Sequence, residues 1–184
     1  MLTPKTISKT PIVSTMKKIL PLSCFFALML SFTAKAQDIQ IVKDKNKIYT
    51  IELPADWIYA NEVNAVINLM YISNPEYPDE RLSISITKGG KLFDLKEVYG
   101  INRDAIADFD EFRLLEEGTG KIGTQDCMWL ICTWSSDEGK KIKGKQYSLK
   151  DGRNIFCVQY HVNADMFDTV KELFDKAIST MVVL

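Results

Sequence analysis

Histidine occurs once in this 184-residue chain, at position 161. A single imidazole excludes the histidine-rich ligand sets of catalytic zinc sites. The chain also lacks G-x-S-x-G, H-E-x-x-H and any Walker loop, so the common signatures of serine hydrolases, zincins and P-loop enzymes are missing. Cysteine is scarce too, with four in all, at positions 24, 127, 132 and 157. No internal repeat, low-complexity tract or interdomain linker interrupts the chain, and no apolar run reaches the roughly 20 residues that a spanning helix needs.

The longest apolar run, Ile19–Phe32, covers 14 residues. Met16-Lys17-Lys18 precedes it and Ala34-Lys35-Ala36 follows. A basic start, a short apolar stretch and an A-x-A site predict a secretory signal peptide cleaved after Ala36. An uncleaved anchor is the alternative. A lipoprotein would have to modify Cys24, which would leave FFALML in the mature chain. Residues 1–15 carry no periodicity; Met16 is the expected true start, and a long n-region is the alternative. The expected mature protein is residues 37–184, one domain with no transmembrane segment, periplasmic or secreted.

Removing residues 1–36 removes five lysines and no acid, which leaves 18 basic and 24 acidic residues, a net charge of −6. That balance excludes nucleic acid as a partner, because such binding runs on phosphate neutralisation. It argues against anionic lipid as the main partner as well. A chain of this length buries a core without staples. Three cysteines remain, and an odd number in an exported chain is not a disulfide framework.

What is present reads as alternating strands and two helices. KIYTIEL (47–53) and RLSISIT (81–87) alternate strictly, with Ser83, Ser85 and Thr87 expected toward water. AVINLMYI (65–72) is a further strand, ended by the proline-bearing loop NPEYPDE. A helix is expected over 94–109, with Asp94 and Glu97 in a capping box and Leu95, Val98, Asn102, Ala105, Ile106 and Phe109 on one stripe; Gly100 weakens it. A short strand near 112–117 follows. Strands 127–134, 142–149 and 154–161 then form a meander, with Asp151-Gly152 as its hairpin turn. A closing helix spans 165–181, capped by Asn163 or Asp165.

CMWLICTW (127–134) holds two cysteines and two tryptophans. In a strand, residues five apart point to opposite faces, and their separation is about 16 Å. Cys127 and Cys132 can then neither share a metal nor form a bridge. Cys157, two strands away, is also too far, so three free thiols are expected. The strand is apolar on both faces, which predicts a central strand with cover on each side: the closing helix, the 94–109 helix and the segment around Trp57.

The order of elements, with YTIELPADW (49–57), EEGTGKIG (116–123) and a closing helix ending at Ile178-Ser179, resembles the PsbP/DcrB-like superfamily over nearly the whole mature chain. The resemblance implies an α+β fold: an antiparallel sheet of about six strands covered by helices on both faces, an α/β/α sandwich. It implies a non-enzymatic binding or assembly factor, since members include an extrinsic photosystem II subunit, a nuclear Ran-binding relative and bacterial envelope proteins. The export signal excludes the nuclear role. Metal-associated histidines of the photosynthetic branch have no counterpart, and no functional residue is carried over.

The candidate chemistry is sparse. His161 needs a nucleophile and an orienting group, and Cys157 lies about 13 Å away along the same strand. Asp108, Asp110 and Glu111 cluster at a helix exit without calcium-loop spacing. Asp165 and Asp168 suit a helix N-terminus. Lys140, Lys141, Lys143 and Lys145 crowd one hairpin and form either a solvated tip or a docking surface for an acidic partner. Tyr77 is a candidate aromatic anchor. The expectation is therefore an exported, monomeric, non-enzymatic module with no cofactor or metal. Its partner is a cell-envelope protein, met through Lys141, Lys143, Lys145 and Tyr77. The alternative is a small-molecule or lipid carrier, or a hydrolase, with a cavity between sheet and helix.

Overall fold

A computed structural model of the chain describes residues 38–59, 67–73, 80–89 and 92–184. The elements are β1 (Ile39–Lys43), β2 (Tyr49–Pro54), β3 (Ile58–Tyr59), β4 (Ile67–Ile72), β5 (Arg81–Lys88), α1 (Leu95–Ala107), β6 (Arg113–Ile122), β7 (Gln125–Ser135), β8 (Lys141–Asp151), β9 (Asn154–Asn163), α2 (Phe167–Ser179) and β10 (Val182–Val183). Seven strands pair in the order β3-β4-β5-β9-β8-β7-β6, and β1-β2-β10 form a separate three-stranded sheet. All pairings are antiparallel. The expected single sheet of about six strands is thus corrected in two ways. The main sheet has seven strands, and the 47–53 strand has left it to pair with β1 and β10.

That departure has a local cause. Asp44 accepts hydrogen bonds from the backbone N–H groups of Asn46 and Ile48, and Lys47 sits at φ 58°, which turns β1 back onto β2. Tyr49, Ile51 and Leu53 of β2 are then fully buried against the main sheet and α2. Burying side chains of this size contributes about 1.5–3 kcal/mol each. The main core also holds Leu82 and Ile84 of β5, Phe156, Val158 and Tyr160 of β9, and Phe174 of α2. Phe174 meets Trp57 and Tyr160, both at 4.8 Å between ring centroids.

The helix starts on its predicted signal. Asp94 accepts from the Glu97 N–H at 2.7 Å, and Glu97 Oε2 accepts from the Asp94 N–H at 2.9 Å, a closed capping box. The buried stripe is rotated from the expected one: Val98, Tyr99, Asn102 and Ile106 are buried, whereas Ala105 and Phe109 are exposed. The cap of α2 is a correction. Its N-cap is Met166 and no side chain caps it, because Asn163–Met166 form a turn that places Asp165 outside the helix. Thr180 ends α2, its hydroxyl accepting from the Glu52 N–H at 2.9 Å and donating to the Ala177 carbonyl at 2.7 Å.

CMWLICTW lies within β7, second from the sheet edge. Cys127 and Ile131 belong to the main core, while Leu130, Cys132 and Trp134 pack with Tyr99 and Ile106 of α1. The edge strand is β6, ten residues long where a short strand was expected. The Gly118-Thr-Gly-Lys-Ile-Gly123 run, which starts in β6, corrects the expectation that the chain has no G-x-G-x-x-G: it has the glycine spacing of a dinucleotide fingerprint. The run ends in a hairpin turn between antiparallel strands, with Ile122 opposite Gln125, not in the strand-to-helix turn that such a fingerprint requires. Gly118 instead makes room for Trp129: a Cβ there would stand 2.7 Å from the indole.

Candidate functional site

The α1 side of the sheet is only partly covered, because α1 lies over β7 and β8 while β9 and β5 continue beyond it. The result is an open groove of about 570 Å³, within the 300–1,000 Å³ of small-molecule sites. Sheet register arranges its floor in cross-strand rows. Gln146 of β8 lies opposite Gln159 of β9, which lies opposite Ser83 of β5, which lies opposite Met70 of β4. The next row runs Ser148, Cys157, Ser85, and a third runs Gly144, His161, Arg81. Ile101, Asn102, Ala105, Ile106 and Phe109 form the helix wall, and Trp134 closes one end.

Polar order in the floor is specific. Asn102 is buried and its Nδ2 donates to Ser148 Oγ at 3.0 Å and to the Phe156 carbonyl at 3.1 Å. Gln159 Nε2 lies 3.2 Å from His161 Nδ1, and the His161 ring meets Trp134 edge-on at 5.6 Å. Burial pushes the Cys157 thiol up to about 12, which suppresses thiolate chemistry at neutral pH. Among the described lining residues the ionisable side chains are Arg81, His161 and Cys157, with no carboxylate. The groove can therefore hold a ligand that is neutral or anionic and partly apolar.

The sequence-predicted residues do not converge. Lys141, Lys143 and Lys145 share the α2-facing side of β8, yet differ in state. Lys141 is exposed. Lys143 Nζ lies 3.4 Å from Asp168 Oδ1 and 4.3 Å from the Phe167 ring centre. Lys145 is buried, with Nζ 3.2 Å and 3.1 Å from the two Asp175 oxygens, so it is part of the interior and not of a solvated hairpin tip. Tyr77 lies outside the described residues. Glu111 accepts from Ser135 Oγ at 2.8 Å, and among the described residues no group of three His, Cys, Asp or Glu could hold a metal ion. Cys127, Cys132 and Cys157 are free.

Sequence reasoning missed Gln146; it expected Ser83, Ser85 and Thr87 on a water-facing side of the strand, and they lie there, Thr87 exposed and both serines half-buried, as lining of the open groove. The signal was available: three strands that become neighbours each carry a polar face, and register puts those faces on one side. It also missed Asp175, whose i,i+4 spacing to Lys171 was the only cue.

No protein-family model and no curated protein matches the sequence. Solved structures do match. Cyanobacterial PsbP (CyanoP) from Synechocystis sp. PCC 6803 aligns with a TM-score of 0.59 at 17% identity, over 84% of this chain and 97% of its own. LpqN of Mycobacterium tuberculosis, described as involved in cell envelope biogenesis, aligns with a TM-score of 0.58 at 14% identity, over 79% of this chain and 90% of its own. A Bacteroides thetaiotaomicron VPI-5482 protein aligns with a TM-score of 0.57 at 17% identity, over 79% of this chain and 48% of its own. Among the described residues no helix is long and apolar enough to cross a membrane. With its antiparallel sheets and two helices in this order among the described residues, the chain has a PsbP-like α+β fold.

Proposed function

We propose that this protein is a non-enzymatic binding module of the cell envelope, exported by a signal peptide cleaved after Ala36 and working through the groove between α1 and the floor strands β5 and β9. The scaffold is an α/β/α sandwich of residues 37–184, with α2 and α1 as its helical layers. The observation that carries the reading is the groove itself: an apolar wall facing a floor of convergent polar groups, amides and hydroxyls with Arg81 and His161 at one end, the usual build of a small-molecule site. Its one thiol and one imidazole stand about 13 Å apart along β9, which leaves them no dyad. The likeness to LpqN, a protein of cell envelope biogenesis, supports the location.

Native mass spectrometry of the protein purified from its own host tests this. A retained small molecule is expected, and Ala105→Trp, which fills the groove from an exposed helix position, is expected to lose it. A retained mass that Ala105→Trp leaves in place would rule the groove out as the binding site. A protein partner docking on Lys141 and Lys143, with Tyr77 as anchor and the module monomeric, is the second reading. Lys141 supports it, as the one exposed lysine of the three on that face.

A further inference from the structure

The groove contains one side chain that its own protein leaves unserved. Gln146 is 2% exposed, and neither its Nε2 nor its Oε1 has a hydrogen-bond partner among the described residues. Leaving a buried donor and a buried acceptor unpaired is costly, and native structures do it rarely. The neighbouring amides are engaged: Asn102 donates to Ser148 and to the Phe156 carbonyl, and Gln159 lies within hydrogen-bond distance of His161. Gln146 therefore offers the groove an adjacent donor and acceptor in one plane, with one acceptor lone pair and one N–H on the same edge of the carboxamide.

We propose that the groove binds a ligand carrying a neutral amide edge with its N–H and C=O side by side: a primary carboxamide, a lactam or a ureide. The ligand N–H donates to Gln146 Oε1 and the ligand carbonyl accepts from Gln146 Nε2, a two-bond pairing. This rests on the groove being the binding site. Of the neutral and anionic groups that the lining admits, the Gln146 edge selects the neutral one. A carboxylate placed on Gln146 would set one of its oxygens against Oε1, and an ammonium would find no carboxylate among the described lining residues. The remainder of the ligand lies along Ile106, Phe109 and Trp134, an apolar wall suited to a flat or aliphatic body.

Benzamide and acetophenone separate the two claims. They share shape and carbonyl, and only benzamide carries the adjacent N–H. A site built to pair an N–H discriminates strongly against the analogue lacking it. Each is titrated into 15N-labelled full-length protein, and amide spectra are followed, with the Gln146 side-chain signals identified by their loss in Gln146→Leu. The expected result is saturable movement of the Gln146 and Gln159 side-chain signals, with benzamide at least tenfold tighter than acetophenone. In Gln146→Leu the two probes should become equal. Equal affinities in the wild type would overturn the amide pairing while leaving the groove as a binding site. Groove signals unmoved by both probes would overturn the pairing and the groove reading together. If Gln146→Leu does not fold, the wild-type comparison alone decides, and Ala105→Trp, which should abolish both titrations, confirms where the probes sit.

Discussion

Lys145 and Asp175 form an ion pair at 3.1 Å between β8 and α2, with 11% and 24% of their side chains exposed. Asp175 also accepts from Lys171 at 2.7 Å and from Tyr147 Oη at 2.6 Å. Burial alone would raise its carboxyl, but the bonds from Lys171 and Tyr147 and the charge of Lys145 outweigh that and hold it below the usual range. A depressed carboxyl stabilises the fold fully above its unfolded value, about pH 4, and the contribution is lost as pH falls through the folded value. Asp175→Asn leaves Lys145 without its counter-charge and is expected to cost about 2–4 kcal/mol at pH 7. Urea unfolding at pH 7 and at pH 3 checks this: the gap between wild type and variant should narrow in acid, and a pH-independent gap would contradict the assignment.

The thiols should be present but slow. Burial pushes Cys132 and Cys157 up to about 12 and raises Cys127, so the thiolate fraction at pH 8 is small in the folded protein. Protein lacking residues 1–36 should titrate three thiols with Ellman's reagent in denaturant and far less than one within minutes when native. A denatured count of one would reveal a bridge that the fold as described does not contain.

Two glycine-to-alanine changes should have opposite signs. A Cβ at Gly144 would stand 2.9 Å from the Trp134 ring and 3.0 Å from the Tyr160 carbonyl, and that backbone oxygen cannot yield cheaply. Gly144→Ala should destabilise by about 1–3 kcal/mol. Gly100, inside α1, has nothing within 4 Å of a built Cβ. Gly100→Ala should stabilise by about 0.5–1 kcal/mol through helix propensity and unfolded-state entropy. Thermal unfolding of both variants is the measurement, and a loss of stability in Gly100→Ala would mean that the helix is not regular there.

Charge reversal at the lysines divides along burial. Lys141→Glu should change stability by less than about 0.5 kcal/mol, as surface substitutions do. Lys145→Glu would set two carboxylates together beside Tyr147 and should lower the melting temperature well beyond the Lys141→Glu effect. If a crosslinked envelope protein co-purifies with the wild type, combined Lys141→Glu and Lys143→Glu should reduce its recovery; unchanged recovery would take this face out of consideration.

The parts legible in the sequence were those governed by local rules. Asp94 and Glu97 announce α1 through spacing alone, Asp151-Gly152 announces the β8–β9 turn, and CMWLICTW announces a strand with both faces packed. The parts that were not legible depend on pairing partners far away in the chain. Tyr49–Leu53 alternates equally well for either sheet, and only its contacts with Ile39–Lys43 and Val182–Val183 decide. Gln146 reads as an ordinary polar strand residue until register sets it beside Gln159 and beneath α1. Lysines at 141, 143 and 145 look alike in sequence because the aspartates that separate their states sit on α2.

The small sheet carries one further consequence, a mechanical one. β1 and β10 both run antiparallel to β2 and so parallel to each other, with Ile39 beside Pro54 at one end and Val183 beside Tyr49 at the other. Tension applied at Asp38 and Leu184 therefore slides the strands past one another instead of peeling them apart, and their hydrogen bonds share the load. The β2–β10 junction has two register pairs against five for β1–β2, so it is the seam that yields first, and α2 is the next element to be drawn off the seven-stranded sheet.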